Sequence, residues 1–134
     1  MQKTIRIESA IENLRVVENA IDTLTNDAGI SQDCYGKILI GTLEAVNNAI
    51  VHGNKSDVKK VVQVEFNLVS QNLMITVTDE GSGFKPEEIP DPTLPENIEA
   101  LAGRGVFLMS KLADDIKFNN TGNSVTMIFK ISGG

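Results

Sequence analysis

The run from Val62 to Asp79 constrains this chain more than any other stretch. Val62, Val64, Phe66 and Leu68 alternate with Gln63, Glu65 and Asn67, so one face of the strand is apolar and the other wet. A Ser70-Gln71-Asn72 turn follows, and Leu73, Ile75 and Val77 repeat the two-residue period. A hairpin with one apolar face is not stable alone in water, so other elements must cover it. The preceding residues supply two of them. Thr4–Glu8 reads as a short strand, and Ser9 with Glu12 forms a capping-box pattern that opens a helix striped by Ile11, Leu14, Val17, Ile21 and Leu24. Gly29 stops that helix. Ser31 caps the next, with Asp33 in its first turn favouring the macrodipole, and the helix runs to Gly53 with Leu39, Leu43, Val46 and Ile50 as its apolar stripe.

A chain of 134 residues reads as one domain, 1–134, able to bury about two-thirds of its unfolded surface. The absence of Trp leaves Val, Ile and Leu to build the core. A net charge of −6 argues against non-specific nucleic-acid binding, which rests on neutralising phosphates with Lys and Arg. The one cysteine, Cys34, excludes an intrachain disulfide, fits a reducing compartment, and reads as a small buried hydrophobe on the second helix. With neither a signal-peptide run nor a membrane-length apolar stretch, the expected location is the cytoplasm, without membrane contact.

Two candidate sites stand out from the residues themselves. Glu44 and Asn48 lie four residues apart on the second helix, roughly opposite its apolar stripe and flanked by Lys37, Ile40, Gly41 and Val51. A carboxylate offers a base or metal ligand and an amide offers a neutral oxygen to a hard cation; the alternative is an ordinary surface pair. Asp79 continues the register Leu73, Ile75, Val77 and so falls on the core-facing side of its strand. A carboxylate there needs donors, which a protein group, a strand that ends one residue early, or a ligand amino group could each supply.

Gly81 and Gly83 follow at once, in D-E-G-S-G-F, and free the backbone to approach a ligand. All four prolines then fall between Pro86 and Pro95, so Lys85 to about Ala102 reads as an irregular flap, with a short helical turn over 96–101. In A-G-R-G-V-F-L-M, Gly103 and Gly105 bracket Arg104 just before an apolar helix that ends near Ala113. Such a turn leaves helix N–H groups open to an anion, or simply precedes a packed helix. Ile116 and Phe118 pair across Thr121-Gly122-Asn123 with Val125, Met127, Phe129 and Ile131 to close the chain.

The blocks E-A-V-N-N-A-I-V-H-G-N-K, D-E-G-S-G-F and A-G-R-G-V-F-L-M, in this order, resemble the N, G1 and G2 boxes of the ATP-binding fold shared by gyrase, heat-shock chaperones, histidine kinases and mismatch-repair proteins. H-G-N-K, D-P-x-x-P-E-N and G-R-G-V-F-L-M look most like its anti-sigma-factor serine/threonine kinase branch, and the resemblance covers essentially the whole chain. The fold expected from it is an α+β two-layer sandwich, a mixed, largely antiparallel sheet covered on one face by three helices.

The resemblance implies ATP and Mg²⁺ as cofactors. Asp79 would accept the adenine amino group, with Gly81 and Gly83 letting the backbone pass the purine. Asn48 would hold Mg²⁺, Glu44 would be the catalytic base, and Gly103, Arg104 and Gly105 would close over the phosphates. Lys55 would reach a phosphate or remain solvated. The chain departs from the branch where Asn123 and Ser124 follow Gly122 in place of a Thr, and where Ala100-Leu101-Ala102 lacks a basic residue. The implied function is phosphorylation of a Ser or Thr on a small STAS-type anti-anti-sigma protein by a homodimeric regulator that also binds a sigma factor. The alternative is a non-catalytic ATP-sensing module. His52, at the end of the N box, reads as structural.

Overall fold

The computed structural model describes residues 2–81, 106–119 and 123–131. Its strands are β1 (Gln2–Glu8), β2 (Val61–Val69), β3 (Asn72–Thr78), β4 (Asp115–Phe118) and β5 (Ser124–Lys130). They form a five-stranded sheet in the order β1-β2-β3-β5-β4. The helices are α1 (Leu14–Ala28), α2 (Gln32–Asn48) and α3 (Val106–Leu112). The sheet alternation predicted from sequence holds: Val62, Val64, Phe66, Leu73, Ile75 and Val77 are buried while their strand neighbours are not. The result is an α+β fold.

Among the described residues the sheet is not mixed, because every pairing is antiparallel. The reason lies in the connections. A parallel pair needs one crossover that returns the chain to its starting end, whereas β1 reaches β2 through two helices, so the chain reverses three times, on entering α1, α2 and β2, and β2 runs opposite to β1.

The helical starts divide. Ser31 caps α2 by accepting from the Cys34 N–H at 3.3 Å. Gly29 ends α1 at φ 66°, the left-handed conformation that only Gly adopts without strain. The Ser9 capping box does not form. The Ser9 hydroxyl is buried, donates to the Lys60 carbonyl at 2.8 Å and accepts from Asn54 Nδ2 at 2.8 Å. With its side chain committed to the sheet edge, the chain takes a 3-10 turn over Ile11–Asn13 before α1 begins, and Ile11 leaves the apolar stripe, 49% exposed.

The buried face of α2 is also wider than its heptad-like stripe. Ile38, Thr42, Ala45 and Val46 are buried, Leu39 and Leu43 only half-buried. The helix packs against α1 on one side and α3 on the other, with its floor on the sheet. Gly41 lets the helix lie close on that floor, since a Cβ there would stand 3.3 Å from the Phe129 ring, a slightly tight contact. Cys34 is half-buried against the core, close to the expectation.

Candidate functional site

The second helix does not end where α-helical geometry would stop. After Asn48 the chain widens into a π-helical turn over Ala49–Gly53, with the Asn54 N–H bonded back to the Ala49 carbonyl at 2.8 Å. π-turns of this kind are uncommon and concentrate at functional sites. Here the turn carries Gly53 against the end of β3. A Cβ at Gly53 would stand 2.2 Å from Asp79 Oδ2, and one at Gly81 would stand 2.0 Å from the Gly53 carbonyl oxygen. Neither position has room for a side chain. The end of α2, the end of β3 and the start of the first glycine loop thus meet around one carboxylate.

Asp79 itself is half-buried. The regular strand ends at Thr78, and the Asp79 carboxylate accepts the Gly81 N–H at 2.8 Å, so two of the three solutions raised by the sequence are present. Its main chain is clasped from the other side: the Asp79 N–H donates to the Asn123 carbonyl at 2.9 Å, and Asn123 Nδ2 donates to the Asp79 carbonyl at 3.1 Å. Asn123 Oδ1 in turn accepts from Asn119 at 2.7 Å. The residue that departs from the branch pattern therefore fixes the strand-end backbone, a role its position in the sequence did not signal.

Glu44 and Asn48 keep their one-turn spacing on α2, but they do not share a solvated face. Glu44 is half-buried, and Asn48 is buried at 7% exposure. The wider packing of α2 turns this side of the helix inward. The Asn48 Nδ2 atom has no hydrogen-bond partner. A buried, unpaired amide costs about 1–3 kcal/mol, which favours a site that acquires a partner over a closed core. The two ends of a carboxamide have nearly the same shape, so a half-turn presents its oxygen to the same place. An oxygen donor of this kind suits Mg²⁺, which keeps most of its shell as water and phosphate oxygens and takes few protein ligands. Among the described residues no cluster of three or more His, Cys, Asp or Glu could hold a metal alone.

Lys55 is exposed and takes φ 53°, beside Ser56 at φ 58°, two successive left-handed residues closing the π-turn. The Ser56 N–H donates to the Ile50 carbonyl at 2.7 Å, which holds that conformation. His52 is exposed in the same turn. Gly83, Gly103, Arg104 and Gly105, and the flap from Lys85 to Ala102, lie outside the described residues.

Sequence reasoning missed Asn54. It is fully buried, and its carboxamide uses both ends: Oδ1 accepts the Glu80 N–H at 2.7 Å, while Nδ2 donates to the Val61 carbonyl at 3.2 Å and to Ser9 Oγ at 2.8 Å. The Val61 N–H returns to the Glu80 carboxylate. A polar residue directly after a helix-ending glycine carries no signal of burial, since such positions are usually solvated.

Comparison with known proteins places the chain in a family and a fold. A family model described as the histidine kinase-like ATPase domain matches residues 7–129. The chain is 26% identical over 132 residues to the serine-protein kinase RsbW of Oceanobacillus iheyensis, covering 94% of this chain and 84% of that protein. It is 24% identical over 136 residues to the serine-protein kinase RsbW of Bacillus subtilis, covering 96% and 85%. A crystal structure of the RsbU and RsbW domains of a Mycobacterium tuberculosis protein matches with a TM-score of 0.72 at 18% identity, over 98% of this chain and 32% of that one. That likeness concerns the fold, and the chain spans about a third of the solved one.

Proposed function

Since this chain belongs to the histidine kinase-like ATPase family, we propose that it is an ATP-dependent serine/threonine kinase of the anti-sigma type. Its substrate is a Ser or Thr of a small STAS-type antagonist protein, and it also binds a sigma factor or similar partner. It works as a homodimer in the cytoplasm, with 1–134 as one ATP-binding domain. The observation that carries this reading is how three groups are disposed along α2 and the π-turn beyond it. The half-buried Glu44 and the buried, unpaired Asn48 stand one turn apart, and the π-turn beyond them delivers Gly53 onto Asp79. The names of the relatives, serine-protein kinases, support the choice of reaction.

In this reading Asp79 accepts the adenine amino group, and Gly81 and Gly83 admit the purine edge. Asn48 would hold Mg²⁺, and that ion, when bound, neutralises phosphate charge. Gly103, Arg104, Gly105 and Lys55 meet the phosphates. Glu44 takes the proton of the attacking hydroxyl. As that oxygen bonds to the γ-phosphorus, the bond to the β–γ bridging oxygen breaks and ADP leaves. Phosphoryl transfer asks little covalent chemistry of a protein and much positioning, which is what a rigid helix with its end locked to the sheet provides.

The test is phosphate transfer from ATP to a candidate antagonist protein, recovered by co-purification. Glu44→Gln keeps the shape and loses the basic oxygen, so nucleotide binding should survive while transfer falls about 10²–10⁴-fold. Asn48→Ala should weaken Mg²⁺-dependent binding and transfer together. A wild type that binds ATP but transfers to no partner would leave the sensing module as the better reading.

A further inference from the structure

The geometry points to Asn54 as a positioning residue for nucleotide selectivity, one that sets where the Asp79 carboxylate stands without touching the nucleotide. The inference rests on the reading of Asp79 as the adenine acceptor and adds to it the question of what holds Asp79 in place.

The carboxylate lies one residue past the regular end of β3, at the start of a glycine loop, and it accepts the Gly81 N–H two residues along the chain. The main chain around it is tied to other elements. On the β5 side the Asn123 main chain and side chain supply the ties, at 2.9 and 3.1 Å. On the α2 side the tie is Asn54. Its Oδ1 accepts the N–H of Glu80, the residue directly after Asp79, at 2.7 Å.

Asn54 is well placed to act as that anchor because it is itself over-determined. It is 0% exposed, and its Nδ2 reaches Ser9 Oγ at 2.8 Å and the Val61 carbonyl at 3.2 Å, at the edges of β1 and β2. Its backbone N–H closes the π-turn onto Ala49 at 2.8 Å. The amide orientation is dictated by its neighbours, since only oxygen can face the Glu80 N–H and only nitrogen the Val61 carbonyl. One side chain thus joins the end of the Asn48 helix to the strand end that carries Asp79. Gly53, the residue before it, lies against the Asp79 carboxylate, where a Cβ would stand 2.2 Å from Oδ2. Asn54 and Gly53 together set the spacing between the phosphate-end group Asn48 and the base-end group Asp79.

The experiment compares affinity for ATP with affinity for purine riboside triphosphate, which lacks only the 6-amino group. Wild type should prefer ATP by about ten- to a hundredfold, the effect of one hydrogen bond to a charged acceptor. Asn54→Ala should bring that ratio close to one, through weaker ATP binding, while affinity for the analogue stays within about threefold. General structural damage would weaken both nucleotides alike and leave the ratio standing. Should Asn54→Ala fail to fold, amide hydrogen exchange on the wild type gives an independent readout. Protection of the Glu80 N–H should rise more with saturating ATP than with saturating analogue. A ratio unchanged in a folded Asn54→Ala, or equal protection by the two nucleotides, overturns the role of Asn54 and leaves Asp79 as acceptor. A wild type without preference for ATP overturns both.

Discussion

Thr42 and Asn48 are both buried on α2 with a polar atom that has no partner, yet they call for opposite explanations. Asn48 sits at the end of α2, where the π-turn that carries Gly53 to Asp79 begins, and in the proposed reading a ligand completes it. Thr42 lies nearly two turns back, 0% exposed among the packed residues of the same helix. Its hydroxyl is a standing cost with nothing to recover it. Thr42→Val keeps the branched shape and removes the orphan oxygen, so it should stabilise the fold by about 1 kcal/mol. That corresponds to a melting temperature roughly 3–6 °C higher for a domain of this size. Calorimetry that found no rise would mean the hydroxyl has a use. Asn48→Leu gives the contrast: without nucleotide it should melt no lower than wild type, and with ATP and Mg²⁺ it should gain less.

The elements are held to one another by a few side-chain ties, and the link between α1 and α2 is one that pH can release. The Tyr35 hydroxyl on α2 donates to the Asp22 carboxylate on α1. That hydrogen bond, with lesser help from desolvation and from the charges of Asp22 and Glu18, raises the Tyr35 pKa above its ordinary 10.0. The protonated form is the one the fold favours. Its contribution is therefore fully present below pH 10.0 and is lost as the pH climbs through the higher folded-state value. The stability difference between wild type and Tyr35→Phe should be constant near neutrality and shrink in strongly alkaline buffer. Urea titrations at a series of pH values measure it, and a difference that grew above pH 10.0 would contradict the assigned bond.

At the scale of the whole molecule, the proposed function makes the sheet and helices a frame for one nucleotide. A nucleotide that binds the native state alone stabilises it by about 2.7 kcal/mol at a hundredfold excess over Kd. ATP with Mg²⁺ should thus raise the melting temperature by roughly 8–16 °C. GTP should do much less, because its keto group has no proton for the Asp79 carboxylate, and Asp79→Asn should lose most of the ATP shift. Equal shifts from the two nucleotides would remove the adenine assignment. Among the described residues no helix is long and apolar enough to cross a membrane.

What the sequence determined by itself was whatever depends on local period and local chemistry. Strand alternation marked the buried face of β2 and β3, Ser31 and Gly29 marked helix ends, and Asp79 was legible as a carboxylate out of place because it continued the count from Leu73. Glu44 and Asn48 were legible as a pair because helical spacing alone makes them neighbours. Other features depended on groups far apart in the chain. Ser9 carried a capping pattern, but its hydroxyl had a better partner 51 residues away in the Lys60 carbonyl. Asn48 was placed opposite the apolar stripe of its helix, as part of a site or of a surface pair, and that it lies buried was not legible, because helical periodicity cannot say on how many sides a helix will be covered. The sheet became wholly antiparallel among the described residues because two helices, not one, intervene between β1 and β2. Asn54 has no periodic or capping signature at all. Its three side-chain bonds reach Ser9, Val61 and Glu80, and a hydrogen bond between distant residues exists only once packing has brought them within about 3 Å.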